Sequence, residues 1–500
     1  MLFNSLEFLL FLPTIFAAYW ILNLCTDRPR GLQAQNLLLL FASYVFYGWW
    51  DWRFLGLIAF STMMDWLVGL KIHAANQNEQ PENKNHRSPI ARCWLFLSLF
   101  VNLGLLGYFK YANFFIESWV DAWGSIGVTM NASSLQIILP VGISFYTFQT
   151  LSYSIDIYRR QLEPTTNFLN FAAFVSFFPQ LVAGPIERAK ALLPQVENRR
   201  TFDYELAASG VQLILWGMFK KVVIADTAAL YVNDIFNNVD EHIGPRLIFG
   251  AVCFAFQIYG DFSGYSDIAI GTARLFGIRL MTNFKAPYFS RDIAEFWRRW
   301  HISLSTWFRD YLYIPLGGSR VGKWKAVRNT FVIFLVSGFW HGANWTFVAW
   351  GFIHAMLFLP LLLLGTNRRH MGDSGQRRWL PSAQELGRMA VTFLLVTVAW
   401  VFFRAPSIEF TLQYLINCTS IPGEWLGLNT LIPPLLLRSE LVYFLSAIVA
   451  MIVIEWLSER PRKTKELEFN WLPVQIVIGT VAILHSPALT AEQAFIYFQF

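Results

Sequence analysis

The chain has 500 residues, of which 55% are hydrophobic and only 14% are charged. A soluble globular protein carries about 25% charged residues, so this composition excludes an ordinary soluble domain. The net charge of +6 is small and argues against nucleic acid as a partner. Apolar runs of bilayer-spanning length recur along the chain, among them "SLEFLLFLPTIFAAYWILNL" and "LVYFLSAIVAMIVIEWL". The sequence therefore predicts an all-α, polytopic membrane bundle of roughly ten to twelve spans.

Three hydrophobic segments occupy roughly residues 5–72. No Lys or Arg precedes the first of them, so it lacks the basic region of a cleaved signal peptide. The first positive charges, Arg28 and Arg30, follow that segment. The positive-inside rule then places the N-terminus outside and the Arg28 loop in the cytoplasm.

From residue 140 onward, polar side chains and helix breakers interrupt the apolar segments. The segment "LPVGISFYTFQTLSYSIDIYRR" contains Tyr146 and Gln149, and "FVSFFPQLVAGPIERAK" contains two prolines and a glycine. The segment "QIYGDFSGYSDIAIG" places Asp261 and Asp267 among three glycines. Because lipid-facing helices do not need such residues, these segments are predicted to line a polar interior. The two aspartates either form a relay or pair with basic residues.

Residues 279–328 hold ten Lys or Arg against three acidic residues, which predicts a cytoplasmic location. Within them, "SRDIAEFWRRWHISLSTWFRDYLYIPLGG" is typical of one amphipathic helix, capped by Ser290, that lies at the membrane surface or dips into the bundle. Four residues at helical spacing share its apolar face: Trp297, His301, Leu304 and Phe308.

The stretch "VSGFWHGANW" places His341 in the middle of a long apolar run. A buried neutral histidine needs hydrogen-bond partners, so His341 is either a structural residue or a general base. If the stretch is helical, Asn344 lies one turn further on and orients the ring. Taken alone, His301 is typical of a packed residue on a surface helix, and His354 of a structural one.

Together these segments resemble the membrane-bound O-acyltransferase superfamily, and within it the bacterial alginate O-acetyltransferase branch. The resemblance extends from "LPVGISFYTFQ" through "FVSFFPQLVAGPIER", "YGDFSGYSDIAIGTARLFGI" and "FWRRWHISLSTWFRDYLYIPLGG" to the terminal "FIYFQF". It implies that His341, in "WHG", is the family's essential histidine. His301 then corresponds to its second recurrent polar position.

The resemblance also implies the fold and the reaction. We expect a helical bundle with a central funnel, in which acetyl-CoA from the cytoplasm donates the acetyl group and no cofactor or metal is bound. His341 would act as the general base, while His301 orients the donor or stabilises developing charge. The expected partners are membrane lipid and a periplasmic SGNH-hydrolase-like acetyltransferase, which modifies a polysaccharide such as alginate. The expected location is the bacterial inner membrane.

The predicted organisation is a single membrane domain over residues 1–500. It comprises N-terminal spans (1–130), a catalytic core (134–365) and C-terminal spans with a tail (385–500). In that tail, Tyr497 is either a transient acyl carrier or an interfacial aromatic anchor. The residues expected to line the substrate tunnel are Asn344, Asp261, Asp267, Trp300, Arg298, Arg309, Tyr146 and Gln149.

Two alternatives to polysaccharide acetylation stay open at this point. The first is another reaction of the same superfamily, namely D-alanyl or acetyl transfer to teichoic acid or peptidoglycan. The second is a transporter or export subunit without enzymatic activity, which also needs broken, polar helices.

Overall fold

The computed structural model describes residues 1–25, 28–77, 87–130, 135–242, 244–371, 380–420 and 438–459, together with 479, 480 and 484. Within these ranges every regular element is helical, which confirms the predicted all-α class. The α-helices in chain order are α1 (Leu6–Cys25), α2 (Arg28–Gly48), α3 (Leu55–Gln77), α4 (Pro89–Leu106), α5 (Ala112–Gly124), α6 (Ile143–Tyr158), α7 (Phe168–Ser176), α8 (Phe178–Leu181), α9 (Ala189–Glu197), α10 (Tyr204–Met218), α11 (Asp226–Asn237), α12 (Pro245–Leu275), α13 (Ile293–Arg299), α14 (Ile302–Phe308), α15 (Lys323–His341), α16 (Trp345–Leu363), α17 (Ala383–Arg404), α18 (Ile408–Thr419) and α19 (Arg438–Ser458). Three short π-helical segments adjoin them: Gly107–Tyr111, Phe219–Ala225 and Arg309–Tyr313.

Seven helices of the described part are long and apolar enough to cross a bilayer. They are Leu6–Asn23, Trp52–Gln77, Pro89–Gly124, Pro245–Leu275, Trp345–Leu363, Ala383–Arg404 and Glu440–Ser458. The protein is therefore a multi-pass membrane protein. The expectation of ten to twelve spans concerns the whole chain and stays a prediction.

The chain divides into two compact units. The first comprises Met1–Val211 and Ala269–Met281, and the second comprises Gln212–Ile268 and Thr282–Phe500. The boundary between them falls within α10 and again within α12. The predicted single domain with a core at 134–365 stays a prediction.

A buried polar network joins three helices of the first unit. The carboxylate of Asp65 in α3 accepts hydrogen bonds from Ser98 (2.6 Å) and Asn102 (2.9 Å), both in α4. Thr150 of α6 donates to Asn102, and Ser154 of α6 also reaches Asp65. Since helices in lipid gain little from hydrophobic contact with one another, such interhelical hydrogen bonds help to hold these three together.

The core of the second unit is built mainly from large aromatic side chains. Trp300, Trp350 and Trp400 are almost fully buried, and the ring of Trp400 lies 4.9 Å from Trp300 and 5.6 Å from Trp350. Phe403 packs edge-on against Trp400. This rigid aromatic centre lies where α16, α17 and the segment that follows α13 meet.

The single amphipathic helix predicted from Ser290 onward is wrong. The structure has two short helices, α13 and α14, which are separated at His301, where the backbone turns left-handed (φ 44°). Asp292, not Ser290, caps α13 by accepting a hydrogen bond from the Glu295 amide (2.7 Å). Most of the segment is buried, with Phe296 only 1% exposed, so of the two predicted placements it agrees with the one that dips into the bundle.

The close approach of α10 and α12 in the second unit depends on two facing glycines. A Cβ added at Gly264 would lie 2.7 Å from the carbonyl oxygen of Gly217. We expect Gly264→Ala to lower stability by about 1–3 kcal/mol, because the two backbones must separate. Thermal unfolding in detergent measures this change.

The matched control is Gly387→Ala in α17, where an added Cβ meets nothing within 4 Å. There the substitution is expected to raise helix stability by about 0.5–1 kcal/mol. An equal effect of both alanines would contradict the proposed backbone contact.

Candidate active site

His341 is the last residue of α15, so it lies at a helix end rather than in the middle of a span. The next helix, α16, returns against α15 with backbone packed on backbone. A Cβ at Gly338 would collide with the carbonyl oxygen of Phe347, and one at Gly351 would collide with that of Phe334. The two glycines therefore permit the contact that determines where His341 lies.

Aromatic rings surround His341, and the residue is only 3% exposed. Its ring centre lies 5.1 Å from Trp350 and 5.3 Å from Phe403, and both contacts are edge to face. Trp340 packs against it from the same helix at 4.9 Å. These walls keep bulk water away from the imidazole and limit the directions from which a reactant can approach it.

His301 is fully buried at the break between α13 and α14. Its Nδ1 lies 3.1 Å from the Oδ1 of Asn283, and the ring of Phe262 packs edge-on at 4.6 Å. Burial lowers the pKa of His301 to about 3, so the ring is neutral throughout the physiological range. A non-glycine residue with positive φ is strained, and such strain is concentrated at functional sites.

The fold brings His301 and His341 together although 40 residues separate them in the sequence. Their ring centres are 6.5 Å apart and their planes are inclined at 60°. Two buried imidazoles at this separation can both contact one small group that lies between them. The arrangement suits acid–base chemistry on a hydroxyl or carbonyl in an environment of low dielectric constant.

Two alternatives were predicted for Asp261 and Asp267, a relay or pairing with basic residues. In the structure each of them pairs with a lysine. Lys221 binds Asp261 (2.8 Å) as well as Asp226 (2.7 Å), and Lys220 binds Asp267 at 2.5 Å. Both lysines lie in the π-helical segment Phe219–Ala225, which adjoins α11.

The other residues predicted for this region have structural contacts. Trp300 belongs to the aromatic core. Arg298 donates to the carbonyl oxygens of Asn367 (2.9 Å) and His370 (2.8 Å). Arg309 is exposed and pairs with its neighbour Asp310.

The orienting role predicted for Asn344 rests on a helix that the structure does not contain. Because α15 ends at His341, Asn344 is not one helical turn further along. Instead it caps α16 by accepting from the Thr346 amide, and it donates to the carbonyl oxygen of Pro406 (2.9 Å).

Tyr146 and Gln149 lie on α6 in the first unit, whereas both histidines belong to the second. Tyr146 is buried, and Gln149 donates to the carbonyl oxygen of Phe174 (2.9 Å). Tyr497 lies outside the described residues.

Asn283, the direct partner of His301, was not predicted as a site residue. It stands in a loop between α12 and α13, at the start of the stretch "NFKAPYF" that precedes the predicted helix. Its carbonyl also accepts from the Ile302 amide (2.8 Å), which holds the break at His301 in place. The same sequence reasoning overlooked the lysine pair at 220 and 221, although two adjacent lysines within an apolar run were a usable signal.

Comparison with known proteins identifies the family. Residues 44–392 match the family model of the membrane-bound O-acyltransferases. The chain belongs to this family. It is 44% identical over 410 residues to the "Probable alginate O-acetylase AlgI" of Pseudomonas putida, a match that covers 82% of the chain and 78% of that protein. The corresponding protein of Pseudomonas aeruginosa is 43% identical, with 82% and 73% covered.

A "Peptidoglycan O-acetyltransferase" of Helicobacter pylori is 36% identical over 450 residues, which cover 85% of the chain and 80% of that protein. The resemblance inferred from the sequence motifs is thus confirmed. As a membrane-bound O-acyltransferase, the protein is an acyltransferase, and the alternative of a non-enzymatic transporter is not supported.

The left-handed backbone at His301 allows fold and chemistry to be tested separately. Asn tolerates this conformation, so His301→Asn is expected to lose only the packing of the buried ring, about 1–2 kcal/mol. Acyl transfer should fall by about 10²–10⁴-fold, because the imidazole is lost. Thermal unfolding and acyl-transfer rates of the purified protein measure the two effects.

The contrasting variant is His301→Ile, since a β-branched residue is strongly disfavoured at positive φ. It should lose both stability and activity. If His301→Asn kept full activity, the imidazole would have no part in the reaction.

The buried lysine between two carboxylates should be essential for stability. Lys221→Met leaves Asp226 and Asp261 without their shared cation, which costs about 3–5 kcal/mol. The double variant Lys221→Met/Asp261→Asn should regain part of that loss, because one unpaired charge is removed. Thermal unfolding in detergent measures both.

The control is the exposed Lys323, whose change to Met is expected to alter stability by less than about 0.5 kcal/mol. Equal stability of Lys221→Met and Lys323→Met would show that the buried ion pairs contribute nothing.

Proposed function

We propose that this membrane-bound O-acyltransferase takes an acetyl group from acetyl-CoA at the cytoplasmic face of a bacterial inner membrane and passes it on for O-acetylation of an extracellular polysaccharide such as alginate. The similarity to probable alginate O-acetylases over 82% of the chain supports the acetyl group and the polymer. The seven apolar helices support the location in a membrane. An SGNH-hydrolase-like periplasmic acetyltransferase is the proposed recipient.

The observation that carries the proposal is the pair of buried histidines in one aromatic-walled site. His341 accepts the proton of an acceptor hydroxyl while the hydroxyl oxygen attacks the thioester carbonyl. A new C–O bond forms, the C–S bond breaks, and the proton passes to the departing thiolate. Atoms and charges balance without an acyl-histidine intermediate, and without a metal.

A histidine suits this task because its unperturbed pKa lies close to neutral pH, where it can both take and return a proton. The aromatic walls at Trp350 and Phe403 favour the reaction in a second way. They exclude water that would otherwise hydrolyse the thioester. The imidazole of His301 is the second ring that contacts the bound substrate.

A second candidate is acetylation of peptidoglycan by the same chemistry. The Helicobacter pylori relative favours it, with 36% identity over 85% of the chain. The two functions differ only in the acceptor, so the polymer that becomes labelled distinguishes them.

The decisive experiment uses isotope-labelled acetyl-CoA and membrane vesicles that contain the full chain, its partner and acceptor polymer. His341→Ala should reduce label transfer by about 10²–10⁴-fold, because the proton acceptor is lost, while the protein still inserts into the membrane.

The matched control is His73→Ala. His73 is a partly exposed residue of α3 whose ring contacts Gln77. Its loss should leave transfer unchanged. Normal labelling with His341→Ala would refute the role of this histidine, and labelling of neither polymer by the wild type would refute the proposed function.

A further inference from the structure

The orientation of the Asn283 side chain is determined by its neighbours. The backbone N–H of Ser303 donates to Oδ1 (3.3 Å), and the Ser303 hydroxyl donates to the same atom (2.9 Å). The Nδ2 group donates to the Ser266 hydroxyl (3.1 Å). Because a backbone N–H can only donate, the atom that faces Ser303 must be the amide oxygen.

This orientation determines which nitrogen of His301 carries the proton. Nδ1 of His301 lies 3.1 Å from that same amide oxygen. An oxygen has only lone pairs to offer, so Nδ1 must be the N–H donor. The buried ring is neutral, and a neutral imidazole carries one proton, so Nε2 carries a lone pair.

His354, a third histidine of the second unit, shows that each ring's own neighbours determine its tautomer. The indole N–H of Trp297, which can only donate, faces Nδ1 of His354 at 3.3 Å. His354 is therefore protonated at Nε2, which is the opposite tautomer. The two assignments follow from local donors and acceptors and not from a general preference of histidine.

We propose that Asn283 is a positioning residue for acyl transfer, which holds His301 as the Nδ1–H tautomer and so makes its Nε2 a hydrogen-bond acceptor. The group that Nε2 accepts from is an N–H or O–H of the bound substrate. His301 thus orients the substrate. The alternative role of stabilising a developing negative charge needs an N–H at Nε2, which this tautomer lacks.

The 6.5 Å between the two ring centres agrees with this role. Even if one nitrogen of each ring pointed at the other ring, the two atoms would be about 4 Å apart, which is longer than the roughly 3 Å of a hydrogen bond. A substrate group in contact with both imidazoles would lie between the two ring centres. His341 then takes the reacting proton, while His301 holds the substrate by its other polar hydrogen.

Few charges face His301. Its ring contacts come from α12, from the loop that holds Asn283 and from the end of α15. Among the described ring contacts of His301, the one with a titratable group is the contact with His341. Charged residues on these elements have partners of their own: Asp261 with Lys221, Asp267 with Lys220, Arg299 with Glu295 and Glu459, Arg309 with Asp310, and Arg298 with two carbonyl groups.

The test replaces Asn283 with Asp. The carboxylate keeps the shape of the side chain and its acceptor oxygen, but its charge raises the pKa of His301 by about 1–3 pH units. Below the raised pKa the ring is doubly protonated and Nε2 cannot accept; above it the lone pair returns. We expect the acid limb of the kcat/KM profile to become steeper below about pH 6, because two imidazoles must now be deprotonated, and the rate to recover at neutral pH.

The matched control is Asn329→Asp. Asn329 is also fully buried in the second unit, where its Nδ2 donates to the carbonyl oxygens of Leu316 and Gly318. This variant should affect stability without changing the shape of the pH profile. Asn283→Leu removes the acceptor altogether and should lower kcat/KM by about 10²-fold at every pH. A profile of Asn283→Asp that matches the wild type would overturn the proposal.

A direct measurement of the tautomer does not depend on activity. In detergent-solubilised full-length protein with ¹⁵N-labelled histidine, comparison with His301→Asn identifies the His301 signals. We expect a protonated-type shift at Nδ1 and an unprotonated-type shift at Nε2. In Asn283→Asp the Nε2 shift should become protonated-type below the raised pKa of His301. The reverse pattern would exclude the proposal even if acetyl transfer proceeds as proposed. The pH-profile experiment rests on the proposed function, whereas the NMR measurement does not. A failure of the proposed function is detected separately by the labelling experiment.

Discussion

The site depends first on the backbone contact between α15 and α16. Gly338 and Gly351 face each other so closely that neither position has space for a Cβ. His341 ends α15 three residues after Gly338, and Trp350 precedes Gly351 directly, so this one contact places the imidazole against its aromatic wall. A close-packed interior transmits small shifts, and wider helix spacing would move the ring relative to every partner.

The second constraint is the pairing of buried charges around this centre. Lys221 lies between two carboxylates, and Arg299 binds Glu459 through two hydrogen bonds of 2.8 Å as well as Glu295 at 3.2 Å. An unpaired charge in such surroundings is very costly. The Lys221 cluster therefore holds the segment Phe219–Ala225 against α12, and Arg299 holds α13 against the residue that follows α19. Several residues of the basic stretch therefore do more than orient the chain in the membrane. Arg299 in particular is an internal structural residue.

Local patterns correctly predicted the class of fold and the family, but they failed at the break between α13 and α14. The letters "FWRRWHISLSTWF" contain no proline or glycine, and their apolar spacing continues at 3.6 residues per turn, so the sequence favours one helix. The break comes from a distant loop, whose Asn283 carbonyl binds the Ile302 amide while the Lys285 amide binds the Arg299 carbonyl. The orienting role of Asn344 was predicted wrongly for a related reason. Apart from Gly342, no residue in the sequence indicates that α15 ends at His341.

The sequence by itself determined that this protein is helical and lies in a membrane, because an apolar run of sufficient length has no other stable state there. It also singled out the "WHG" motif at His341. Only the tertiary structure decided that two histidines share one site, that Asp261 and Asp267 belong to ion pairs, and which nitrogen of His301 carries a proton. Each of these depends on contacts between residues far apart in the chain, 160 positions in the case of Arg299 and Glu459, and no periodicity of the sequence encodes such a contact.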